Sequence, residues 1–524
     1  MTSNSQTIIQ DIRQEFEMLL EFVTSDQAKQ ATADYIERSL FKLLLAFGAK
    51  LLSLFFMMRS EACSRETLQG TAGCRLAYQH DTKRSYLSIF GKLGLWRPYF
   101  YQKGVGGETP LDAELVLGED CYSDLVREIS DYLGVSSAYH KSGDMLSRLL
   151  GLNLSTRVIE ETIAEDAGQV EAYYAQKPAP EPKEEAEILV IQADGKGVPI
   201  IYEEPTSPKP VRLGKGQKRG HKQEAMVTTV YTIASQPRTP QQVVDSFFQP
   251  NQSKPKETSG RAKPQNKHIW ATMAGKDVAL ERLVKQVALR EGDHIDHRVA
   301  LCDGCEALQT RLTNRFEPFS LILDFIHADQ YLWAVANSLW GETHPQRLEW
   351  MIEHALQILS GKTEQVLTKF RQMAQDNQYS TAQRTQLEKT ATYFQRNLPY
   401  MDYPTYLKHG WPIASGVIEG ACRHFVKDRC ELSGMRWTPA GVESLLRLRA
   451  VAENGDWDNY HAFRKRQRHR RLYNSPYPEQ SLLELQAMDS NPFDQILSTP
   501  STDPVEPVVS SYSSKHYHHL PLAV

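Results

Sequence analysis

Two short apolar runs that each end on an aspartate constrain the fold of this chain more than any other feature. Residues 299–302 end at Asp303, residues 321–323 end at Asp324, and a helical stretch lies between them. Open α/β sheets usually place their chemistry at the carboxyl ends of buried strands. The two runs therefore predict buried strands whose acidic ends are candidates for a metal site.

Composition sets broad limits on the class of protein. A chain of 524 residues is too long for one core, so two to four domains are expected. Its apolar fraction of 41% and charged fraction of 24% are typical of soluble proteins. The net charge of −4 gives no overall attraction to nucleic acid, so any such attraction needs local basic patches. Seven cysteines without a signal peptide suit a reducing compartment, and a cytoplasmic location is expected.

Residues 1–118 are predicted to form a helical region plus a β-hairpin. The most apolar stretch, residues 40–58, is interrupted by Lys42, Gly48 and Lys50, whereas a membrane span needs about 20 mostly apolar residues. We therefore expect a core helix there and no membrane partner. Residues 85–101 alternate in the manner of two strands, with a turn at residues 91–94.

Residues 119–178 predict short helices, and residues 179–186 predict a linker rich in proline and charge. Turns near Gly134 and Gly151 fit a helix-turn-helix-like module, which could seat one helix in the major groove of DNA. Any small helical bundle would give the same pattern. The chain after Asn454 is expected to be irregular, so that residues 453–524 form a basic and then disordered tail.

Residues 187–452 are predicted to form a mixed α/β domain. One strand ends at Asp194, further strands follow at residues 198–202 and 225–233, and then come the two strands that end at Asp303 and Asp324. A helical insertion is expected at about residues 335–405. Beyond it, Ser415 can cap a helix that carries Glu419 in its first turns.

Asp194, Asp303 and Glu419 are the carboxylates that stand out by position. Mg²⁺ is satisfied by a few carboxylate oxygens and waters. Two such ions can activate a water and stabilise a leaving oxygen in phosphodiester chemistry. Two alternatives stay open at this point, because Asp-Gly is also a common turn dipeptide and a single glutamate on a helix is usually solvated.

Three segments carry a resemblance to a known family. They are Gln-Ala-Asp-Gly-Lys-Gly-Val-Pro from residue 192, Leu-Cys-Asp-Gly-Cys-Glu-Ala-Leu from residue 301, and Ala-Ser-Gly-Val-Ile-Glu-Gly-Ala-Cys-Arg-His from residue 414, followed by Ser-Gly-Met-Arg-Trp at 433–437. With their spacing, they resemble bacterial insertion-sequence transposases of the DDE type, of the Kra group, which are relatives of Mutator-like and hAT elements. The resemblance implies an RNase H-like catalytic core with an all-helical insertion ahead of the final glutamate.

The resemblance also implies roles for single residues. Asp194, Asp303 and Glu419 would hold two Mg²⁺ (or Mn²⁺) ions. In the Mutator-like and hAT relatives, a cysteine or aspartate, two residues and a histidine follow the second catalytic aspartate. Asp324 and His327 match that motif and would have a supporting role, although a core-facing histidine is an equal alternative for His327.

Basic residues complete the expectations about partners. Those expected to bind DNA phosphates are Lys215, Lys218, Arg219, Arg423, Arg429 and Arg436, together with the basic segment 464–471. The implied protein binds the inverted repeats that end a mobile element and the target DNA, associates with the nucleoid and acts as a homo-oligomer. It would cleave strands and transfer them. The alternatives are a catalytically silent, domesticated DNA-binding derivative and a host resolvase or RNase.

Overall fold

The structure is a computed structural model that describes residues 3–70, 73–201, 221–248, 262–432, 434–473 and 477–478. All elements below belong to one compact unit, Met1–Ser475. Helices and sheets alternate in a mixed α/β arrangement with two separate sheets. The predicted mixing of helices and strands is therefore confirmed at this level.

The first segment is helical and has three helices: α1 (Ser3–Thr24), α2 (Asp26–Gln30) and α3 (Ala33–Ala62). The prediction of a core helix at residues 40–58 is wrong, because only Phe56 and Ser60 of α3 are buried. α3 packs against α1 and the following sheet on one side, which leaves apolar side chains such as Phe41 and Leu44 exposed. By length and composition alone, α3 is a helix that could cross a membrane.

The first sheet is antiparallel and has four strands: β1 (Leu68–Gln69), β2 (Arg75–Ser88), β3 (Gly91–Gln102) and β4 (Gly106–Glu108). β2 and β3 form the expected hairpin. The turn lies two residues earlier than predicted, since Ser88 pairs with Gly91. Gly91 has a φ of 109°, a conformation that favours glycine, so this residue begins β3.

Short helices follow, as predicted: α4 (Pro110–Glu114), α5 (Asp124–Ser136), α6 (Tyr139–Leu150), α7 (Thr156–Asp166) and α8 (Val170–Gln176). Ser123 and Ser155 cap α5 and α7 by accepting hydrogen bonds from backbone amides of the first turn. Gly151 ends α6 in the left-handed conformation. Whether these helices bind DNA stays a prediction.

The second sheet has five strands: β5 (Ile188–Ile200), β6 (His221–Ile233), β7 (Gln265–Thr272), β8 (His297–Cys302) and β9 (Ser320–Leu323). Its order is β7-β6-β5-β8-β9. β6 is antiparallel to both neighbours, whereas β5, β8 and β9 run parallel. The helices between these strands are α9 (Pro240–Phe248), α10 (Lys276–Ala288) and α11 (Glu306–Arg315).

One strand boundary differs from the prediction. The Asp-Gly-Lys-Gly sequence was expected to separate two strands, but β5 runs unbroken through Asp194 to Ile200. Its antiparallel partner β6 supplies the reason, since pairing continues from Ile188 with Ile233 to Ile200 with His221. Gly195 and Gly197 therefore remain paired with the long strand β6 as part of the sheet.

Helices fill the chain after β9: α12 (Phe325–Trp340), α13 (Gln346–Leu359), α14 (Thr363–Gln375), α15 (Thr381–Asn397), α16 (Tyr403–Lys408), α17 (Gly416–Gly420), α18 (Asp428–Cys430), α19 (Pro439–Glu453) and α20 (Trp457–Tyr473). A π-helix, Ala421–Lys427, joins α17 to α18. The prediction of an irregular chain after Asn454 is wrong as far as Tyr473, because helix α20 forms there. The predicted disorder of the last residues concerns 479–524, which lie outside the described residues.

Three apolar cores cover the five-stranded sheet. In one of them, Ile159 and Tyr174 of the short-helix segment pack together with Trp270 of β7 and Leu445 of α19. The segment 119–178 therefore shares a core with the sheet. The boundaries predicted at 118, 178 and 452 stay predictions.

Buried histidines make the stability of this fold sensitive to acid. His268 on β7 accepts a hydrogen bond from Arg282, with 3.0 Å between Nε2 and Nη1. Burial lowers the pKa of His268 well below its ordinary range, and the charge of Arg282 lowers it further. Below about pH 6.5 the unfolded chain binds a proton that the folded chain excludes, so stability falls as the pH falls.

We expect His268→Gln to make the unfolding free energy less dependent on pH in the acid range. Between about pH 6.5 and 5, the slope of the unfolding free energy should decrease by up to about 1.4 kcal/mol per pH unit. Chemical denaturation at several pH values measures it. The control is His140→Gln, because the His140 side chain is 83% exposed. Equal slopes for the wild type and His268→Gln would contradict the prediction.

Candidate metal centre at the sheet edge

Three aspartates lie level with one another at one edge of the parallel strands. Gln192 of β5 pairs with Leu301 of β8, and Cys302 of β8 pairs with Leu323 of β9. Continuing these registers places Asp194 beside Asp303, and Asp303 beside Asp324. Neighbouring strands lie about 4.8 Å apart. The register therefore sets the three aspartates side by side across β5, β8 and β9, and a metal site shared by Asp194 and Asp303 stays a prediction.

Asp194 and Asp303 are half-buried and are oriented by local backbone amides. Asp194 Oδ1 accepts a hydrogen bond from its neighbour Gly195 at 2.7 Å, and its Oδ2 lies 3.3 Å from the Cys422 thiol. Asp303 Oδ1 accepts from the Cys305 amide at 3.1 Å. In each group at least one oxygen keeps lone pairs for a cation.

Glu419 reaches this edge on the short helix α17, which buried side chains hold at two points. The Ile418 amide donates to Gln192 Oε1 at 2.9 Å. At the start of the helix, the amide and hydroxyl of Ser415 both donate to the Asp324 carboxylate. Gln192 and Asp324 are fully buried. Strands β5 and β9 thus fix the segment that carries Glu419.

Asp324 has a second structural task, which is to cap α12. Its Oδ1 accepts from the Ile326 amide at 2.9 Å, a typical bond at a helix start. Burial raises the pKa of Asp324, while its bond from Ser415 opposes the shift. This fits the supporting role that the resemblance implied, which stays a prediction as regards function.

His327 lies between two carboxyl groups. Its Nε2 is 3.8 Å from Asp324 Oδ2 and 3.9 Å from Glu419 Oε1. Among the described residues, Asp324, His327 and Glu419 form a group whose ligand atoms all lie within 4.8 Å. The side chain of His327 is 29% exposed, so it faces the site and not the apolar core, which was the alternative for this histidine.

The electrostatics of the edge favour a cation. Burial raises the pKa of Glu419, and the carboxylates of Asp324 and Asp194 add to that rise, which His327 partly offsets. Crowded carboxylates repel one another unless a positive charge is present. The available donors are mainly carboxylate oxygens, which Mg²⁺ and Mn²⁺ prefer. The residues present therefore fit the divalent ions that the resemblance implied.

Sequence reasoning missed Gln192 and Cys422 as contributors to the site. It predicted Ser415 as the cap of α17, but the Ser415 hydroxyl makes no cap bond and donates to Asp324 instead. Gln192 precedes Asp194 by two residues, and in a strand such residues share a face. A buried amide on the face of a candidate metal ligand was a usable signal. Cys422 had no such signal, because its contact with Asp194 depends on the path of the π-helix.

The predicted DNA-binding residues differ in their exposure to solvent, and some lie outside the described residues. Arg423 and Arg436 are exposed. Lys215, Lys218 and Arg219 lie outside the described residues. Arg429 is a correction: it is 1% exposed, its guanidinium donates to the Gly134 carbonyl, and it packs over two aromatic rings. Six residues along a regular helix already turn a side chain by about 240°, so Arg429 points away from the exposed face that carries Arg423.

The basic segment 464–471 is a second correction. Arg464 and Arg468 bind Asp124 of α5, and Arg464 also binds Asp166 of α7. Arg471 pairs with Glu119 at 3.0 Å. These cations hold α20 against the short helices. Lys465, Arg466 and Arg470 of the same helix form no ion pair within the described part of the chain.

Comparison with known proteins adds little to this geometry. No protein-family model matches the chain, and no curated protein matches it. Among solved structures, the chain is similar to one titled "Drosophila P element transposase strand transfer complex", at 8% identity over 70% of this chain and 87% of that chain. The TM-score is 0.24, a value too low to support an argument about fold or function.

Replacing Gln192 by leucine should loosen the segment that carries Glu419. The Ile418 amide would lose a buried acceptor worth about 0.5–1.5 kcal/mol, so its hydrogen exchange should accelerate by about two- to tenfold. Exchange measured by mass spectrometry on peptides that cover 415–420 tests this. Gln309→Leu is the matched control, since Gln309 is another buried glutamine that bonds to Asn397. Unchanged exchange in Gln192→Leu would show that the bond does not hold α17.

Proposed function

We propose that this protein is a DNA transposase of the DDE type with an RNase H-like catalytic core. The single observation that carries the proposal is the placement of Glu419 near Asp194, which the register of β5 and β8 sets beside Asp303. These residues are far apart in sequence, and each sits in one of the three segments that resemble the family. Chance turns or solvated acids would not be expected to converge on one edge.

The topology of the five-stranded sheet supports the RNase H-like part of the proposal. Three parallel strands carry the acidic residues, and the antiparallel strand β6 extends the sheet on the other side. Helices α12 to α16 lie in the chain between β9 and Glu419. This is the position in which the resemblance implies an all-helical insertion.

Asp194, Asp303 and Glu419 would hold two Mg²⁺ or Mn²⁺ ions. Such ions supply an activated water or hydroxyl and stabilise a leaving oxygen in phosphodiester chemistry. Gln192 and Asp324 position Glu419 through the backbone of α17, as described above. His327, between Asp324 and Glu419, can donate a hydrogen bond to a DNA phosphate at the rim of the site. The proposed reactions are strand cleavage at the ends of a mobile element and strand transfer into target DNA.

DNA would approach along the face beyond Glu419. Arg423 and Lys427 are exposed on the π-helix, and Arg436 is exposed shortly after it. Contacts of this kind neutralise phosphates without reading sequence, so the choice of element ends needs another part of the chain. The short helices of residues 119–178 are the candidate for that task. Joining two ends requires a homo-oligomer on DNA, in the cytoplasm at the nucleoid.

Asp303→Asn should abolish strand cleavage and leave the binding of element ends nearly intact. Loss of a metal ligand should cost more than the roughly 10- to 100-fold that outer-shell changes cost. The assay is cleavage of DNA that carries the inverted repeats flanking the gene, with and without Mg²⁺. Asp293→Asn is the control, because Asp293 is exposed in the turn before β8, at the opposite end of the strand that Asp303 follows. Retained cleavage in Asp303→Asn would overturn the metal assignment. End binding without cleavage by the wild type would favour the silent, domesticated derivative.

Arg423→Gln should weaken DNA binding uniformly across sequences. Removing one phosphate contact should lower the slope of log affinity against log salt by about 1. Fluorescence anisotropy at several salt concentrations measures this on element ends and on unrelated duplexes. Arg13→Gln is the control, since Arg13 is exposed on α1, outside the segments expected to bind DNA. Equal salt slopes for both variants would exclude the π-helix from the DNA interface.

A further inference from the structure

Three helices outside the catalytic edge bring a second group of metal-ligating side chains together. Asp131 lies on α5, Asp166 ends α7, and His461 lies on α20. Their ligand atoms all lie within 4.8 Å of one another. All three side chains are buried, with exposures of 0%, 3% and 1%.

Two of these side chains lack hydrogen-bond partners. Neither carboxylate oxygen of Asp131 and neither ring nitrogen of His461 has one within the described part of the chain. Buried polar groups are normally hydrogen-bonded, and buried charges are paired or bind metals. The Asp131 carboxyl lies against that of Asp166, so this pair needs either a shared proton or a cation, and the two unpartnered nitrogens of buried His461 favour the cation.

The neighbouring charges leave room for a cation. Arg127 and Arg464 bind Asp166, but Arg127 also holds Asp120, and Arg464 also holds Asp124. Asp131 has no ion pair with a guanidinium among the described residues. Asp166 Oδ1 accepts bonds of 2.9 and 3.1 Å, whereas Oδ2 accepts only the 3.4 Å bond from Arg127 Nε. Oδ2 thus keeps a lone pair for a ligand bond.

We propose that Asp131, Asp166 and His461 form a structural site for a divalent transition-metal ion, of which Zn²⁺ is the best match. Carboxylate oxygen and imidazole nitrogen are both ligands of Zn²⁺, at about 2.0–2.2 Å. Ligands on one ion are then at most about 4.2 Å apart, so the three groups need only a small contraction. A hard ion such as Mg²⁺ fits less well, because it keeps several waters, whereas these three side chains are at most 3% exposed.

The ion would tie α20 to α5 and α7. These helices are more than 290 residues apart in sequence, as the bond from Arg464 to Asp166 shows. A single ion bound by one ligand from each helix would add stability at the point where the end of the described chain returns to the short helices. This site is independent of the proposed catalytic function.

Metal content of the full chain tests the proposal directly. The protein is purified without metal-affinity resin, in the Asp303→Asn background so that catalytic metals are weakened, and its metals are counted by mass spectrometry. We expect about one Zn²⁺ per chain after dialysis, and loss of that ion in Asp131→Asn and His461→Gln. Asp124→Asn is the matched control, because it disturbs the same arginines without removing a ligand, and it should retain the ion.

A second measurement uses the wild-type chain, so it does not depend on whether a variant folds. Chelator treatment of the wild-type chain should lower its melting temperature, and added Co²⁺ should give the visible absorption bands of a bound ion. The absence of stoichiometric metal and of Co²⁺ bands would overturn the proposal. So would a metal retained by both ligand variants, which would place it elsewhere. A melting temperature left unchanged by the chelator would likewise overturn it, because Asp131 and Asp166 would then be held together without an ion.

Discussion

The hydrogen bond from the Ile418 amide to Gln192 joins the two parts of the candidate site that lie farthest apart in the chain. The partners are separated by 226 residues, and the Gln192 side chain is wholly buried. A buried bond of this kind does not compete with water, so losing its acceptor costs more than the bond itself contributes. This bond fixes the backbone of the five-residue helix that carries Glu419 directly to β5.

Asp324 completes this attachment from the neighbouring strand. It accepts from Ser415 at the start of α17 and from Ile326 at the start of α12, so one carboxylate caps two segments. Asp324 also has an electrostatic cost, because its negative charge adds to the repulsion between the carboxylates of Asp194 and Glu419. Hydrogen bonds to Asp324 offset part of that cost. A cation at the edge would offset the rest.

The sequence predicted the parts of the site that depend on local pattern. The apolar runs that end at Asp303 and Asp324 form short parallel strands. No strand of the described sheet pairs with either run beyond its aspartate. The same reasoning failed at Asp194, where the long antiparallel partner β6 continues the strand. It failed again at Arg429, whose side chain is buried by aromatic rings and a carbonyl from other segments. α20 could not be recognised as packed, since its arginines pair with Asp124 and Asp166, which lie some three hundred residues earlier.

Arg429 and Arg449 connect the Glu419 segment to the short helices. The last carbonyls of a helix lack partners within it, and in α5 these guanidiniums provide them: Arg429 donates to Gly134 and Arg449 donates to Val135. Arg449 also donates to the Phe425 carbonyl in the π-helix at 2.8 Å. Positive charge at the end of α5 is favourable to its dipole. Because these bonds are largely buried, α5 cannot shift relative to the π-helix without breaking them. The helices proposed to recognise element ends and the segment that carries Glu419 therefore belong to one body, so an end bound by the former would be held in a fixed position relative to the latter.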